Sequence, residues 1–208
     1  AGRRNIPVVG MVRSWDNVTS KTLLTHIPDY MVVNSRCVKE EVAHYGGMSR
    51  ERIFITGVPH YDRYASSNCI PRDHFMKEHG LDAKKKMILF ATPGDNYLEN
   101  NPITPLVLES LREVDANIFV RLPLVGKEDL EGYVLPKNAV LDDPGNYQNF
   151  TQVHVTQKAD QHLANCLNAS DLVITWASTM ILDAAVFNKP IILVDFDATP
   201  RAYHYSVA

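Results

Sequence analysis

The sequence predicts an α/β fold in which parallel sheets are covered by helices on both faces. Seven short apolar runs alternate little between apolar and polar residues, as buried parallel strands do: residues 8–12, 30–34, 52–56, 87–91, 117–121, 172–175 and 191–194. Helical patterns lie between them, at residues 38–45, 105–114, 159–169 and 178–187. The repetition of strand, helix and strand is typical of parallel sheets with right-handed crossovers.

A break in this alternation divides the chain. Turn-forming residues and a run of lysines occupy residues 66–86. We therefore expect two Rossmann-like domains: residues 1–65 as the C-terminal part of the first, 66–86 as a linker and 87–208 as most of the second. Because the chain starts directly in an apolar run without a methionine, we expect a fragment of a larger protein, with the first domain incomplete.

Composition and charge narrow the function classes. The chain has 45% hydrophobic and 22% charged residues, as ordinary soluble proteins do. Its 21 basic and 24 acidic residues give a net charge of −3, which does not favour nucleic acid as a partner. The histidines form no HxxxH or HExxH pair, so no metal site is expected. Three cysteines without a CxxC motif favour a reducing, cytoplasmic compartment.

The strongest chemical signal follows the run at residues 172–175. Small and polar residues come next, and Ser178 and Thr179 open a predicted helix. A helix start offers free backbone N–H groups and the positive end of the helix dipole, which suits a diphosphate. Asp183 lies one turn after Thr179, where its carboxylate can accept hydrogen bonds from ribose hydroxyls. The structural alternative makes Ser178 an N-cap and Asp183 a surface acid.

Residues 171–197 resemble the donor motif of GT-B glycosyltransferases. They are most similar to the branch that includes CDP-glycerol glycerophosphotransferases and related surface-polysaccharide enzymes. That branch usually has Glu at the position of Asp183. The preceding residues 160–165 are also similar to that branch, and the resemblance implies that His162 closes over the base or the diphosphate; the alternative is a histidine on a helix surface.

A second match lies in the polar loop after the first strand. Trp15 and Lys21 keep the separation of the Trp and Lys in the family's loop, and the family's catalytic His falls on Asp16. The resemblance implies that Asp16 is the catalytic base, with Trp15 and Lys21 near the acceptor. A carboxylate can act as a general base where partial burial raises its pKa. The alternative is a plain loop with a buried tryptophan.

A third match covers residues 53–62, which resemble the family's strand ending in Thr-Gly-x-Pro. Gly57 and Pro59 are expected to set a turn. His60 then faces the substrate in a cleft between the domains, or only ties the connecting segment down.

Two residues after strands of the second domain are candidates for phosphate binding. Gly94 stands where a glycine lets backbone N–H groups approach a phosphate. Arg121 ends the next strand, where relatives often have Arg-x-His-Pro, although this chain lacks the His. Arg121 is expected to neutralise the diphosphate or to form a structural ion pair. The chain has neither GxGxxG nor GxxxxGK[ST], which argues against dinucleotide and P-loop binding.

Together the matches imply a metal-independent transferase. It would move a glycosyl or alditol-phosphate group from a nucleotide-activated donor to a surface-polysaccharide or lipid-linked acceptor. It would need no cofactor, because the nucleotide sugar or CDP-alditol is its substrate. Ser178, Thr179 and Arg121 would stabilise the leaving diphosphate. Association with the inner face of the membrane would suit a lipid-linked acceptor, but no amphipathic basic helix is present as an anchor.

Two alternatives stay open. A non-hydrolysing UDP-sugar epimerase shares the fold, but the Glu-Arg-Pro-Glu segment expected after the last strand is missing. A nucleotide-binding module without activity is the other alternative, and it gains weight if the acceptor-side domain is incomplete.

Overall fold

The computed structural model describes residues 6–12, 14, 17–21, 24–93, 103–124, 130, 133–145 and 155–195; for residues 20 and 21 it describes the backbone alone. The chain divides into two compact units, Ala1–Ala65 and Ser66–Ala208. Each is an α/β unit built on a parallel sheet, which confirms the predicted fold class. None of the helices in the described part of the chain has the length and apolar character needed to cross a membrane.

The first unit holds a three-stranded sheet in the order β1-β2-β3, with β1 at Val9–Met11, β2 at Tyr30–Val33 and β3 at Ile53–Ile55. Its other elements are, in chain order, a turn of π-helix at Asn17–Lys21, helix α1 at Arg36–Gly46, a 3₁₀ turn at Arg50–Arg52 and helix α2 at Pro59–Ser66. Ser35 caps α1, because its hydroxyl accepts the N–H of Val38 at 3.3 Å, and Gly47 ends the helix with a φ of 64°.

The second unit holds a five-stranded sheet in the order β6-β5-β4-β7-β8, with every neighbouring pair parallel. Its elements are α3 (Arg72–Glu78), β4 (Lys86–Ala91), α4 (Ile103–Ser110), β5 (Ala116–Arg121), β6 (Ala139–Asp142), α5 (Gln157–Ala169), β7 (Leu172–Thr175), α6 (Met180–Val186) and β8 (Ile191–Leu193).

Alternate residues of the central strands serve two cores. On one face, Leu89 and Phe119 pack with residues of α3, α5 and α6. On the other face, Phe90, Ile118 and Val120 pack with α4. Both faces of the sheet are therefore covered, and this is why β4 and β5 are continuous apolar runs in the sequence.

The segment 66–86 differs from the predicted linker. It contains α3, whose Phe75 and Met76 are fully buried in the core of the second unit. The unit therefore begins at residue 66 rather than 87. Periodicity did not indicate α3, because the helix has only seven residues and two of them face the core.

Candidate functional site

One row of register partners crosses the second sheet near its carboxyl edge. In the order of the strands it consists of Asp142, Arg121, Ala91, Thr175 and Leu193. Register partners in a sheet point to the same face, since side chains alternate along each strand. The polar members of the row therefore lie on the face that α3 and α5 cover.

The order of the strands reverses between β4 and β7. The chain leaves β4 through α4, which packs on one face, and leaves β7 through α6, whose Ala184 packs on the other face. Ligands of open α/β sheets bind in the crevice at such a reversal, beyond the carboxyl ends of the strands. The predicted diphosphate residues Ser178 and Thr179 directly follow β7, so they lie at this crevice.

Ser178 and Thr179 form a turn before α6, which begins at Met180 rather than at Ser178 as predicted. The Ser178 hydroxyl lies 3.2 Å from the Thr175 hydroxyl and accepts the N–H of Met180 at 3.2 Å. Both Ser178 and Thr179 are exposed. The N-cap of α6 is Thr179, whose side chain makes no capping hydrogen bond. Ser178 is therefore not the N-cap of the structural alternative but lies one residue before it, and it presents its side chain at the crevice.

Asp183 differs from the surface acid of the structural alternative. It is only 8% exposed, and its N–H donates to the Thr179 carbonyl at 3.2 Å. At this exposure, Asp183 offers little surface to a ribose. The predicted ribose contact stays a prediction.

A buried hydroxyl lies at the same edge of the sheet. Thr92 follows β4 and is 7% exposed, and its N–H donates to the Arg121 carbonyl at 3.1 Å. Its hydroxyl has no hydrogen-bond partner among the residues that the structure describes. Buried polar groups are normally paired, so such a hydroxyl suits a bound ligand or a water molecule.

Two predicted residues, Arg121 and His162, meet through a carboxylate that the sequence reasoning missed. Arg121 donates through Nη1 to Oδ2 of Asp142, and Nε2 of His162 lies 2.8 Å from Oδ1 of the same carboxylate. The side chains of Arg121 and Asp142 are 7% and 10% exposed, whereas that of His162 is 32% exposed. The guanidinium therefore forms the ion pair considered as its structural alternative.

The ion pair and the histidine set the protonation of Asp142. Burial on its own would raise the pKa of the carboxyl. The hydrogen bond from His162 and the charge of Arg121 outweigh burial, and the pKa of Asp142 lies below its ordinary value. The carboxylate is thus ionised at neutral pH and holds a cation on one oxygen and an imidazole on the other.

Cys166 completes this cluster, with its Sγ 3.6 Å from Nε2 of His162. The cluster of Asp142, His162 and Cys166 offers an oxygen, a nitrogen and a sulfur within 4.8 Å of one another, as a metal site would. One observation argues against a metal ion here, because Arg121 already supplies positive charge to Asp142. Burial raises the pKa of the Cys166 thiol to about 12.

Helix α3 and its C-cap residue His79 supply the aromatic surroundings of His162. The His162 ring centroid lies 5.7 Å from that of His79 and 6.4 Å from that of Phe75. His79 stacks on Phe75 at 4.2 Å and donates through Nδ1 to the Phe75 carbonyl at 2.8 Å. The imidazole of His162 is therefore held between a carboxylate and a stacked aromatic pair.

The remaining predicted residues lie elsewhere. Trp15, Asp16 and Gly94 lie outside the described residues, and only the backbone of Lys21 is described, within the π-helical turn. His60 belongs to the first unit, where its Nε2 lies 3.2 Å from the Tyr64 hydroxyl.

Gly57 and Pro59, which were predicted to set a turn, lead directly into helix α2. Gly57 has a φ of 74°, and Pro59 is the first residue of α2. His60 also lines an apolar pocket of about 220 Å³ at the carboxyl ends of β1, β2 and β3, together with Met11 and Asn34.

Comparison with known proteins identifies the family. Residues 12–205 match the family described as CDP-Glycerol:Poly(glycerophosphate) glycerophosphotransferase. The chain belongs to this family. Membership confirms the predicted resemblance to the glycerophosphotransferase branch, and it makes the chain a member of a transferase family. A search of curated protein sequences returns no match.

Solved structures of this fold include two UDP-GlcNAc 2-epimerases. The enzyme from Methanocaldococcus jannaschii is 15% identical, with 94% of this chain and 56% of that chain covered and a TM-score of 0.59. The enzyme from Neisseria meningitidis bound to UDP-GlcNAc is 11% identical, with 92% and 53% covered and a TM-score of 0.60. At these identities the likeness shows the fold alone, and it confirms the GT-B type.

The wall teichoic acid polymerase TagF is also similar, at 21% identity and a TM-score of 0.45. The alignment covers 78% of this chain and 38% of that chain. The family member described here therefore spans about two fifths of TagF and somewhat more than half of the two epimerases.

Proposed function

We propose that the chain is part of a transferase that moves a glycosyl or alditol-phosphate group from a nucleotide-activated donor to a polymer or lipid-linked acceptor. The observation that carries the proposal is the family match over residues 12–205. The family's description contains CDP-glycerol, so CDP-glycerol is the first donor to test.

In this proposal the second unit binds the donor. The crevice between β4 and β7 has exposed hydroxyls at Ser178 and Thr179. Thr92, which directly follows β4, adds a hydroxyl that has no partner among the described residues. Hydroxyls of this kind can donate to the oxygens of a diphosphate. His162 supplies a partly exposed imidazole on the face that carries the row of polar residues. Hydrogen-bond donors at the turn before α6 and the imidazole of His162, rather than a metal ion or a bound cofactor, stabilise the leaving nucleotide.

The first unit would bind the acceptor, with Asp16 as general base and Trp15 and Lys21 nearby. The support is the family's motif order around these residues. His60 can reach a ligand in this unit, because it is one of the residues that line the apolar pocket at the carboxyl ends of the strands. The protein would act in the cytoplasm, at the inner face of the membrane where the acceptor is lipid-linked.

A thermal-shift series with CDP, UDP, GDP and ADP tests the donor assignment. Ligand present at about a hundred times its dissociation constant stabilises the folded state by roughly 2.7 kcal/mol. We expect a shift with CDP that Ser178→Ala reduces. Ser110→Ala is the matched control, because Ser110 ends α4 just before the amino end of β5 and its hydroxyl donates to the Leu106 carbonyl. The absence of a shift with all four nucleotides would exclude a donor site.

Turnover assays with CDP-glycerol test the acceptor assignment in the full-length protein. Asp16→Ala is expected to abolish transfer and to leave CDP binding unchanged. Loss of CDP binding in Asp16→Ala would instead place the donor in the first unit. Transfer that survives the substitution would remove Asp16 as the base.

A further inference from the structure

We infer that Asp142 is a positioning residue which, with Arg121, orients the imidazole of His162 toward the diphosphate of the bound nucleotide. The inference rests on the proposed function, because it takes the second unit as the nucleotide-binding unit. Asp142 itself would not touch the nucleotide, since its side chain is 10% exposed.

The first support is the sharing of one carboxylate between two elements. Oδ2 of Asp142 accepts from Arg121 of β5, and Oδ1 lies 2.8 Å from Nε2 of His162 on α5. Because Arg121 and Asp142 are register partners in neighbouring strands, the sheet fixes the position of the carboxylate without any contact from α5. The carboxylate then fixes the imidazole, whose rotation would break the hydrogen bond.

The second support is the identity of the His162 ring nitrogen that donates to the carboxylate of Asp142. A carboxylate accepts, so the proton of this hydrogen bond belongs to Nε2 of His162. The contact with Sγ of Cys166 also involves Nε2. Nδ1 has no hydrogen bond to any residue within the described part of the chain. Nδ1 is therefore the nitrogen available to a ligand, and it donates to a diphosphate oxygen when it carries a second proton. His162 is the member of the network with exposed surface to present it.

The third support is the balance of charge around His162. Arg121 neutralises the charge of Asp142, so the ion pair adds no net negative charge to repel an anion. The other neighbours of the imidazole are the thiol of Cys166, the ring of Phe75 in α3 and the ring of His79 at the C-cap of α3. No second carboxylate from the described elements contacts His162. A proton on His162 would thus leave a net positive charge that matches a diphosphate.

The fourth support is the position of Arg121 and Asp142 relative to the crevice at Ser178. Arg121 and Thr175 are separated by one strand, and Ala91 stands between them with the smallest chiral side chain. Neighbouring strands are about 4.8 Å apart, so β5 and β7 are about 10 Å apart. A nucleotide that lies across the end of β4 can therefore extend from the turn at Ser178 to the α5 side of the sheet.

The test compares CDP with cytidine, which lacks the diphosphate. Dissociation constants are measured by calorimetry for the wild-type chain, Asp142→Asn and His162→Gln. We expect both substitutions to weaken CDP binding roughly tenfold or more, as the loss of one hydrogen bond to a charged group does, and to leave cytidine binding unchanged. A residue that only stabilised the fold would change both ligands alike.

Asp171→Asn is the matched control. Asp171 also pairs with an arginine, Arg72 at 3.1 Å, but it directly precedes β7 and so lies at the opposite edge of the same sheet. This substitution is expected to leave the ratio of CDP to cytidine affinity unchanged.

A nitrogen-15 NMR spectrum of His162 tests the orientation directly. The wild-type spectrum should show the Nε2–H tautomer, and Asp142→Asn should populate both tautomers. Equal CDP affinities in the wild type and Asp142→Asn would overturn the inference while the proposed function stands. Failure of the wild type to bind any nucleotide would overturn both. If Asp142→Asn does not fold, His162→Gln and the wild-type spectrum decide: unchanged CDP affinity in His162→Gln, or an Nδ1–H tautomer, removes the proposed role.

Discussion

Asp142 and Arg121 are register partners at the carboxyl ends of β6 and β5, and their side chains form an ion pair that is 10% and 7% exposed. Transfer of two charges out of water is costly, and their attraction offsets this cost only while both partners are present. The pair is therefore a sensitive point for the stability of the second unit. It is also the point from which the orientation of His162 is set.

Asp142→Asn is expected to lower the free energy of unfolding by about 3–5 kcal/mol, because it leaves the buried guanidinium of Arg121 without a counter-charge. Urea denaturation measures the change. A double replacement, Asp142→Leu with Arg121→Met, should cost less than the single one, since it removes both charges. If the single replacement lowers the free energy of unfolding less than the double replacement does, the buried ion pair between Asp142 and Arg121 is contradicted.

Acid should remove the contribution of Asp142 to the free energy of unfolding. Its pKa lies below the ordinary value of aspartate, which is about 3.9, so the unfolded chain takes up the proton first as the pH falls. The stabilisation is complete above that ordinary value and disappears as the pH falls through the folded pKa. The difference in stability between the wild type and Asp142→Asn should therefore shrink below about pH 4. Urea titrations from neutral to acid pH check this. A difference in stability that stays constant with pH would show that the pKa of the Asp142 carboxyl is not lowered.

Phe75→Ala should lower the free energy of unfolding by about 3–5 kcal/mol, because it empties a fully buried ring position in the core of the second unit. His74→Ala is the control on the same helix. Its side chain is 60% exposed and pairs with Glu78 on the surface, so the expected change is within about 1 kcal/mol. Similar small effects at both positions would restore the predicted linker at residues 66–86.

Arg72→Lys is expected to destabilise the protein by about 2 kcal/mol despite the conserved charge. The guanidinium donates to the carbonyls of Ala83, Lys85 and Ala169 and to the carboxylate of Asp171. A single ammonium cannot reach these groups at once, so some of the acceptors lose their partner.

Arg112→Lys is the control for this prediction. Arg112 pairs with Glu109 one turn away on the surface, and such pairs contribute less than about 1 kcal/mol. Equal costs for the two substitutions, measured by urea denaturation, would show that the fork geometry of Arg72 does not matter.

The sequence predicted the central strands well and the network around His162 poorly. Residues 87–91 and 117–121 are buried on both faces, and composition alone reveals such runs. Strand β6 has only four residues, and Asp142 at its end resembles turn material because Asp143 and Pro144 follow. A carboxylate that ends a short apolar run was the available signal.

The sequence could not identify the ion-pair partner of Arg121. A structural ion pair was one of the two alternatives for Arg121, but naming Asp142 requires the register of β5 against β6. Register depends on packing against helices distant in sequence, such as α5, and no local pattern records it.

The pairing of β4 with β7 has a consequence for how the molecule folds. Residues 88 and 172 are register partners although the chain between them contains α4, β5, β6 and α5. Closure of so long a loop costs entropy before any contact compensates for it, whereas β4, β5 and β6 pair with near neighbours. We expect β4, β5 and β6 to assemble first and β7 to dock late. The crevice that holds Ser178 would then exist only after the slowest step of assembly, and a chain stopped before that step would have secondary structure without a ligand site.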